Sequence, residues 1–456
     1  MKLPLMSPFT KFRFVIAVGI VSLFPLTQSY AIAQEATPEV TQRVNWQPPP
    51  KWEPVPPHRE ERGSISIIWL AGTPYEMGVQ QAELLGEDIK ALGLEALDTL
   101  DFFGRTLGLA LLAIRRSYSP YIEECRGLAD GLSDEAGESI MTMDACMMLA
   151  FGDVYQEVFG TILPSILFND GCSSFIVAGD ATVNGNLYHA HTLDNSFPLN
   201  HLIQNPTLVI RQPRGGIPYV SVTAPGAVIP TQAMNAAGIS ISINSARPKD
   251  FADLSLDGTS NVQMMGEVMW RASSLETAIK IFQGKERMRA NIIAIADGKQ
   301  GKGAVLELMG FESTVRSLDE KGTVYASNHF AAEEFVERDL PNPSSKSRFH
   351  RYQQLLEPDG QDSVYGNIDP KKAITVLRDR VNPATGNETP RSVFDDDLTI
   401  GGNGPLRQVV FEPASGLFWV ASGTEPPVPE APFTCFSLSQ LLGFPNAVSC
   451  PTPAIE

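Results

Sequence analysis

Cys172 stands in the run Asn169-Asp170-Gly171-Cys172-Ser173-Ser174-Phe175, with polar turn-formers before it and a β-rich stretch after it. This pattern predicts a thiol at the start of a strand, at the mouth of a sheet. Gly171 lacks a Cβ, so the backbone before the cysteine can adopt geometries closed to other residues. Such a position suits self-cleavage. The thiol attacks the Gly171 carbonyl, the acyl group moves from nitrogen to sulfur, and water releases a new α-amine. That amine has a reference pKa of about 7.7–8 and sits within reach of its own thiol, so one residue can be nucleophile and base. Taken alone, a Gly-Cys pair describes a half-buried structural cysteine more often than a nucleophile.

The turn Asn184-Gly185 and the strand-like run Leu187-Tyr188-His189-Ala190-His191-Thr192-Leu193-Asp194 follow. A hairpin through that turn brings Asp194 beside Cys172, where a carboxylate can accept from the new ammonium and orient it. An aspartate at a strand end is also a common turn or cap residue. The five cysteines are Cys125, Cys146, Cys172, Cys435 and Cys450. An odd number leaves at least one outside any intramolecular disulfide. Cys435 and Cys450 are near enough in sequence to bridge, and Cys125 with Cys146 is a second pairing; if both form, Cys172 is left over.

Together these segments resemble the acyl-coenzyme A:6-aminopenicillanic acid acyltransferase family, an N-terminal-nucleophile hydrolase group related to choloylglycine hydrolases, acid ceramidase and phospholipase B-like proteins. Asp170–Phe175 and Asn184–Asp194 look like its nucleophile region. Gly72-Thr73-Pro74-Tyr75-Glu76-Met77-Gly78 and the run from Tyr121 to Gly131 resemble its N-terminal helical part. Pro225-Gly226 and the run from Met234 to Ser245 resemble its central strands. Ser327-Asn328-His329-Phe330, Ser345–Tyr352 and Val409–Val420 follow in the expected order.

The resemblance implies an α+β fold, a four-layer αββα sandwich, and two subunits cut from one precursor at Gly171-Cys172. It implies Cys172 as nucleophile and Asp194 as the acid that orients the amine. Asn328 and Asn244 would be oxyanion donors, a task an amide NH2 can perform. Arg348 would support the site, with Arg351 three residues on as the other match, and Asn235 and His191 would support site or substrate. Relatives commonly carry arginine three residues before the aspartate, where this chain has His191. Histidine is smaller and mostly neutral at pH 7, so the holding of thiol and substrate differs here. That departure also points modestly toward the phospholipase B-like branch and ester or lipid cleavage.

A metal-dependent hydrolase is the rival chemistry: His189 and His191 are one residue apart on a strand, and Asp194 and His329 are further donors. The chain has only six histidines and no HExxH pattern. It has no G-x-S-x-G elbow for a serine hydrolase. A non-catalytic relative with an inert Cys172 is the remaining alternative. The favoured reading is an autoproteolytic amidase or acyltransferase that works through a thioester on Cys172 and needs no metal or organic cofactor. Its partner would be a small acyl amide or lipid-like molecule.

The elements that must position these residues read as follows. Ile65–Leu70 is a short buried strand, Tyr75 to about Arg116 has helical apolar spacing, and Ile122 to Leu132 is a further helix. After Cys172 come short β-rich runs at Ser174–Ala178, Leu187–His191, Thr207–Arg211, Ile239–Ile243, Ile292–Ala296, Ala304–Leu308, Val324–Ser327, Val409–Phe411 and Phe418–Ala421. Helices interrupt at Leu275–Gln283, Ser347–Leu356 and Pro370–Arg380.

The whole chain has 456 residues, 43% of them hydrophobic, and a formal net charge of −17. That is ample length for a large core and the wrong sign for a nucleic-acid binder or an anionic membrane surface. Residues 1–33 read as a signal peptide: Lys2, Lys11 and Arg13, then an apolar run from Phe14 to Pro25, then Ala31-Ile32-Ala33 before the cut. The run is shorter than the roughly 20 residues a bilayer requires. The mature protein is therefore expected in the periplasm or outside the cell, without a stable membrane span. Residues 34–58 form a Pro-rich arm, 59–171 a mostly helical α-subunit segment, and 172–456 the β-subunit segment that carries the nucleophile.

Overall fold

Two large sheets stacked between helices organise the computed structural model. It describes residues 52–91, 101–102, 104–106, 108–133, 139–151, 171–194, 206–250, 253, 255, 257–340, 342–390, 396–402, 404–423 and 427–456. The signal segment, most of the Pro-rich arm, Asn169, Asp170 and the helical stripe at Leu92, Ala96, Leu100 and Phe103 lie outside the described residues.

One sheet contains β1 (His58–Arg62), β2 (Ile65–Gly72), β5 (Thr207–Pro213), β6 (Tyr219–Thr223), β7 (Gln232–Asn235), β8 (Ile239–Ser245), β9 (Asn291–Asp297), β10 (Lys302–Leu308) and β11 (Ser313–Ser317), in that spatial order. The other runs β12 (Thr323–Ala326), β3 (Cys172–Gly179), β4 (Gly185–Asp194), β13 (Pro405–Glu412), β14 (Leu417–Ser422), β15 (Phe433–Ser437) and β16 (Ala454–Ile455). Pairing is antiparallel except between β2 and β5.

Strands covered on both faces read as near-continuous apolar runs, and the central strands do. In β5, Leu208 and Ile210 enter the layer between the sheets while Val209 packs toward helices. The helices over the first sheet are α1 (Pro74–Ala91), α2 (Leu109–Arg116), α3 (Ser119–Gly131), α4 (Met143–Phe151), α5 (Asn261–Arg271) and α6 (Leu275–Gln283). Over the second sheet lie α7 (Pro343–Leu356) and α8 (Pro370–Leu377), which bury Tyr352, Leu355, Ile374 and Leu377 against Phe175, Ala190, Val410 and Trp419. The order of layers is helix, sheet, sheet, helix.

The layer between the sheets holds two apolar patches, one with Val409, Phe411, Phe418 and Val420, the other with Ile176, Val305, Val324 and Ala326. Strand β4 runs between them, and its inward residues His189 and His191 are polar. The sheets therefore meet along a hydrogen-bonded strip flanked by hydrocarbon.

Several expectations change in extent. The helical spacing from Tyr75 to Arg116 holds α1, helical residues at 101–102 and 104–106, and α2, and Gly108, at φ 68, stands immediately before α2. The arm is packed where it is described: Trp52 Nε1 donates to Leu442 O at 2.7 Å, and Val55 exchanges hydrogen bonds with the Gln212 amide. Its partners are far away in sequence, so local Pro content could not reveal them. Strands β1, β6, β7, β11, β15 and β16 add to the strands expected from the sequence.

Both disulfides are present, Cys125–Cys146 and Cys435–Cys450, and Cys172 is in neither. The first ties α3 to α4. Close approach of α1 and α3 depends on two glycines. A Cβ on Gly78 would lie 2.1 Å from Glu124 O, and one on Gly127 would lie 2.1 Å from Tyr75 O. Backbone atoms cannot step aside as a flexible side chain can, so overpacking here forces the helices apart. Gly78→Ala is expected to cost about 1–3 kcal/mol in urea unfolding followed by circular dichroism. An unchanged midpoint would show that the helices separate without penalty.

Candidate active site

The Asn184-Gly185 turn closes the hairpin that the sequence predicts. Gly185 sits at φ 72, where a missing Cβ is required, and β3 pairs with β4 in the register Cys172↔Leu193, Ser174↔His191, Ile176↔His189. Cys172 is the first residue of β3 and is 6% exposed. The strand ladder continues one step beyond it, because Asp194 N–H donates to Gly171 O at 2.8 Å. That contact polarises the carbonyl a Cys172 thiol would attack.

Two side chains hold the cysteine backbone. Cys172 N–H donates to Asn328 Oδ1 at 3.0 Å, and Arg348 Nη1 donates to Cys172 O at 2.6 Å. Arg348 Nη2 also donates to Asn328 Oδ1 at 2.8 Å, which closes a triangle. Arg348 is fully buried on α7, and its charge-assisted bonds are the short, strong kind. Asn328 follows β12 and is fixed in turn: its N–H donates to Ser345 Oγ, and its Nδ2 donates to Ser245 O and Oγ at 3.1 and 3.0 Å.

Of the two arginines suggested for support, the structure brings Arg348 to Cys172. Arg351 forks instead onto Asp379, at 2.7 and 2.9 Å. Asp194 is fully buried on the face of β4 opposite Leu193, and its carboxylate accepts from Thr192 Oγ1 at 2.6 Å. It stands one residue beyond the partner of Cys172, beside the Gly171 peptide.

Asn244, at 1% exposure on β8, gives its amide to Ser327 O at 3.0 Å and accepts from His191. In this arrangement its NH2 is committed to the protein, as is that of Asn328. Asn235 sits in the β7–β8 turn. Its NH2 donates to Met269 O and Ala272 O, and its oxygen accepts from Ala237 and Ile239 N–H. Two of these bonds close the turn, two tie it to the end of α5, and none of the four reaches Cys172.

His191 is the departure from the family pattern, and its surroundings assign its state. Nε2 lies 3.0 Å from Ile243 O and therefore carries the proton, while Nδ1 accepts from Gln232 Nε2 at 2.6 Å. Burial lowers its pKa to about 3, against opposing hydrogen bonds to Ile243 and Asn244. His189 is lowered to about 3 by burial, with His191 adding to the effect, and its nitrogens meet Ser240 and Ser242 hydroxyls at 2.9 Å. His329 is lowered to about 4, chiefly by burial, and bonds Ser345 Oγ. These imidazoles are neutral cross-links between sheets and loops. Among the described residues no group of three or more His, Cys, Asp or Glu side chains converges to hold a metal ion.

The sequence reading missed Arg407 on β13. It is 2% exposed and lies in the same transverse row as Leu193 and Cys172. Its sequence signal was a basic residue shortly before the apolar run Val409-Val410-Phe411.

The family model described as acyl-coenzyme A:6-aminopenicillanic acid acyl-transferase matches residues 182–395. The match includes His191, Asp194, Asn235, Asn244, Asn328 and Arg348, and begins after Cys172. An uncharacterized protein of Archaeoglobus fulgidus is 28% identical over 283 residues, which is 58% of this chain and 46% of that protein. The chain thus spans about half the length of that curated relative. Among solved structures, the Caenorhabditis elegans ortholog of N-acylethanolamine-hydrolyzing acid amidase is similar with a TM-score of 0.36 and 15% identity, over 57% of this chain and 98% of that one. Penicillin V acylase from Agrobacterium tumefaciens gives 0.37 and 15%, over 59% and 87%.

The neutral histidines predict acid sensitivity. In the unfolded chain each titrates near 6.5, whereas folded His189 and His191 titrate near 3. The unfolded state therefore binds more protons between these values. Their contribution is fully present above pH 6.5 and is lost as pH falls toward 3, by at most about 1.4 kcal/mol per pH unit for each histidine. His189→Asn should flatten the fall of unfolding free energy between pH 6.5 and 4.5, measured by urea titration. An equally steep profile in the variant would remove His189 from this account.

Proposed function

We propose that the chain, whose residues 182–395 match the family model described as acyl-coenzyme A:6-aminopenicillanic acid acyl-transferase, is an exported N-terminal-nucleophile enzyme that cuts itself at Gly171-Cys172. It then hydrolyses or transfers an acyl group from a non-peptide amide through a thioester on Cys172. The observation that carries this reading is the geometry of one residue. Cys172 opens a central strand with its N–H on Asn328 Oδ1, its carbonyl on Arg348, and the preceding Gly171 carbonyl on the Asp194 N–H.

In self-cleavage the Cys172 sulfur bonds to the Gly171 carbonyl carbon, whose oxygen is stabilised by the Asp194 N–H. The C–N bond then breaks, nitrogen takes a proton, and a thioester remains. Water cleaves it to give a Gly171 carboxylate, a thiol and the α-amine of Cys172. That amine inherits Asn328 Oδ1 as acceptor, since the peptide N–H already occupies that position, and Asp194 stands beside it as the counter-charge.

In the amide reaction the α-amine takes the thiol proton, sulfur adds to the substrate carbonyl, and the amine returns the proton to the leaving nitrogen. Reorientation of the Asn328 or Asn244 amide away from its protein acceptors supplies the oxyanion donor. The substrate is a small acyl amide or lipid-like molecule, and the working enzyme is an α/β pair from one precursor, in the periplasm or outside the cell.

Intact-mass analysis of the purified mature protein tests the first step. Two chains, the second beginning at Cys172, are expected, and Cys172→Ala should give one uncut chain with amidase activity reduced at least about 1,000-fold. A Cys172→Ala protein that still divides at this peptide would sink the mechanism.

A further inference from the structure

Arg407 is a buried cation that pairs with no carboxylate among the described residues. Its Nη2 donates to Thr231 Oγ1 at 3.2 Å, while among the described residues its Nε and Nη1 meet no acceptor. Leaving two donors of a buried guanidinium unsatisfied is costly, because a charge taken from water needs both an opposite charge and hydrogen bonds. Three other fully buried arginines are satisfied differently. Arg348 bonds Cys172 O and Asn328, Arg211 pairs with Glu124, and Arg287 donates to four backbone carbonyls.

The register supplies the missing partner. Cys172 pairs with Leu193 and Leu193 pairs with Arg407, so the three side chains project from one face of the sheet in one row. Two strand spacings separate the outer members, roughly 10 Å between their backbones, and an extended arginine side chain covers most of that distance. The Thr231 contact, just before β7, confirms that Arg407 points into the layer between the sheets, as Cys172 does.

We propose that Arg407 is the counter-ion of Cys172: once the thiol proton has passed to the α-amine, the free guanidinium N–H groups receive the sulfur anion. This rests on Cys172 being the nucleophile and adds a catalytic residue from β13. Burial lowers the arginine to about 10, and the charge of Cys172 acts in the opposite direction. Arg407 also disfavours a charge on His191, which keeps that imidazole neutral beside it.

Other described groups near Cys172 have partners of their own or carry no charge. Arg348 on α7 is engaged at the cysteine backbone, and Tyr352 of the same helix bonds Ser173 on the opposite face. Asp194 projects from the far face of β4. Gln232, Asn244, Thr231 and Asn328 are uncharged, and His329 is spent on Ser345.

With four cysteines in disulfides, Cys172 is the single thiol to titrate, and its alkylation by iodoacetamide requires no turnover. The rate is measured against pH for wild type, Arg407→Met and Arg407→Lys in the same covalent form, as established by intact mass. Wild type should show a midpoint at least one unit below the ordinary thiol value of about 8.5. Arg407→Met should raise the midpoint by at least one unit, making alkylation near pH 7 about tenfold slower, and Arg407→Lys should stay within threefold of wild type. A Met variant that melts no lower than wild type but keeps the wild-type midpoint overturns the proposal. If Met unfolds the protein, Lys decides: a midpoint raised as in an ordinary thiol overturns it, and a retained low midpoint supports it. A low, Arg407-dependent midpoint in a protein that cleaves no amide would refute the amidase reading alone.

Discussion

Arg348 donates at the same time to the carbonyl of Cys172 and to the side-chain oxygen of Asn328, and that oxygen also accepts the Cys172 N–H. This triangle binds the first residue of a central strand to the outer helix α7 and to the loop after β12. A guanidinium can span two acceptors because its donors lie in one rigid plane. The strand start, where a chain would ordinarily fray, is thereby held in place. The Asp194 N–H fixes the peptide just before it. A reactive thiol can be positioned only where its backbone cannot move, and the surrounding elements serve that constraint.

The layer between the sheets meets the same requirement by a different means. Hydrocarbon on either side packs the sheets, and the strip along β4 specifies their relative placement. His189 reaches the two serine hydroxyls of β8, and His191 reaches Ile243 O, Asn244 and Gln232. Hydrogen bonds in so buried a place are costly to break and leave few alternative registers. They also settle what His191 contributes. An imidazole with both nitrogens engaged and its charged form suppressed by burial cannot supply the permanent charge of an arginine. The positive charge near the thiol comes instead from a neighbouring strand.

Much of the second sheet and its helices could be read directly from residue pattern. Strands buried on both faces carry unbroken Ile, Val and Ala, and α7 and α8 announce themselves with Asn342 and Asp369 caps followed by proline. Elements recognised less well were those stabilised at a distance. Strand β1 is a run of His, Arg and Glu whose pairing with β2, not its composition, makes it a strand. The Pro-rich arm has its order imposed by Leu442, Phe444 and Gln212. At the site, Cys172 and Asp194 were accessible because they lie on one hairpin. Asn328 and Arg348 emerged only through resemblance, since nothing local distinguishes them from other asparagines and arginines.

The sequence by itself determined the hairpin that sets Cys172 beside the Asp194 strand end, the odd number of cysteines, and the α+β alternation. All of these are consequences of short-range spacing and turn chemistry. Tertiary structure decided which arginine touches Cys172, that His191 is a neutral strut, that Asn235 serves a turn, and that Arg407 shares a row with Cys172. Those outcomes depend on strand order and on faces, which bring residues more than two hundred positions apart into one row. Spacing along the chain carries no record of such proximity; it exists only once the sheets have paired.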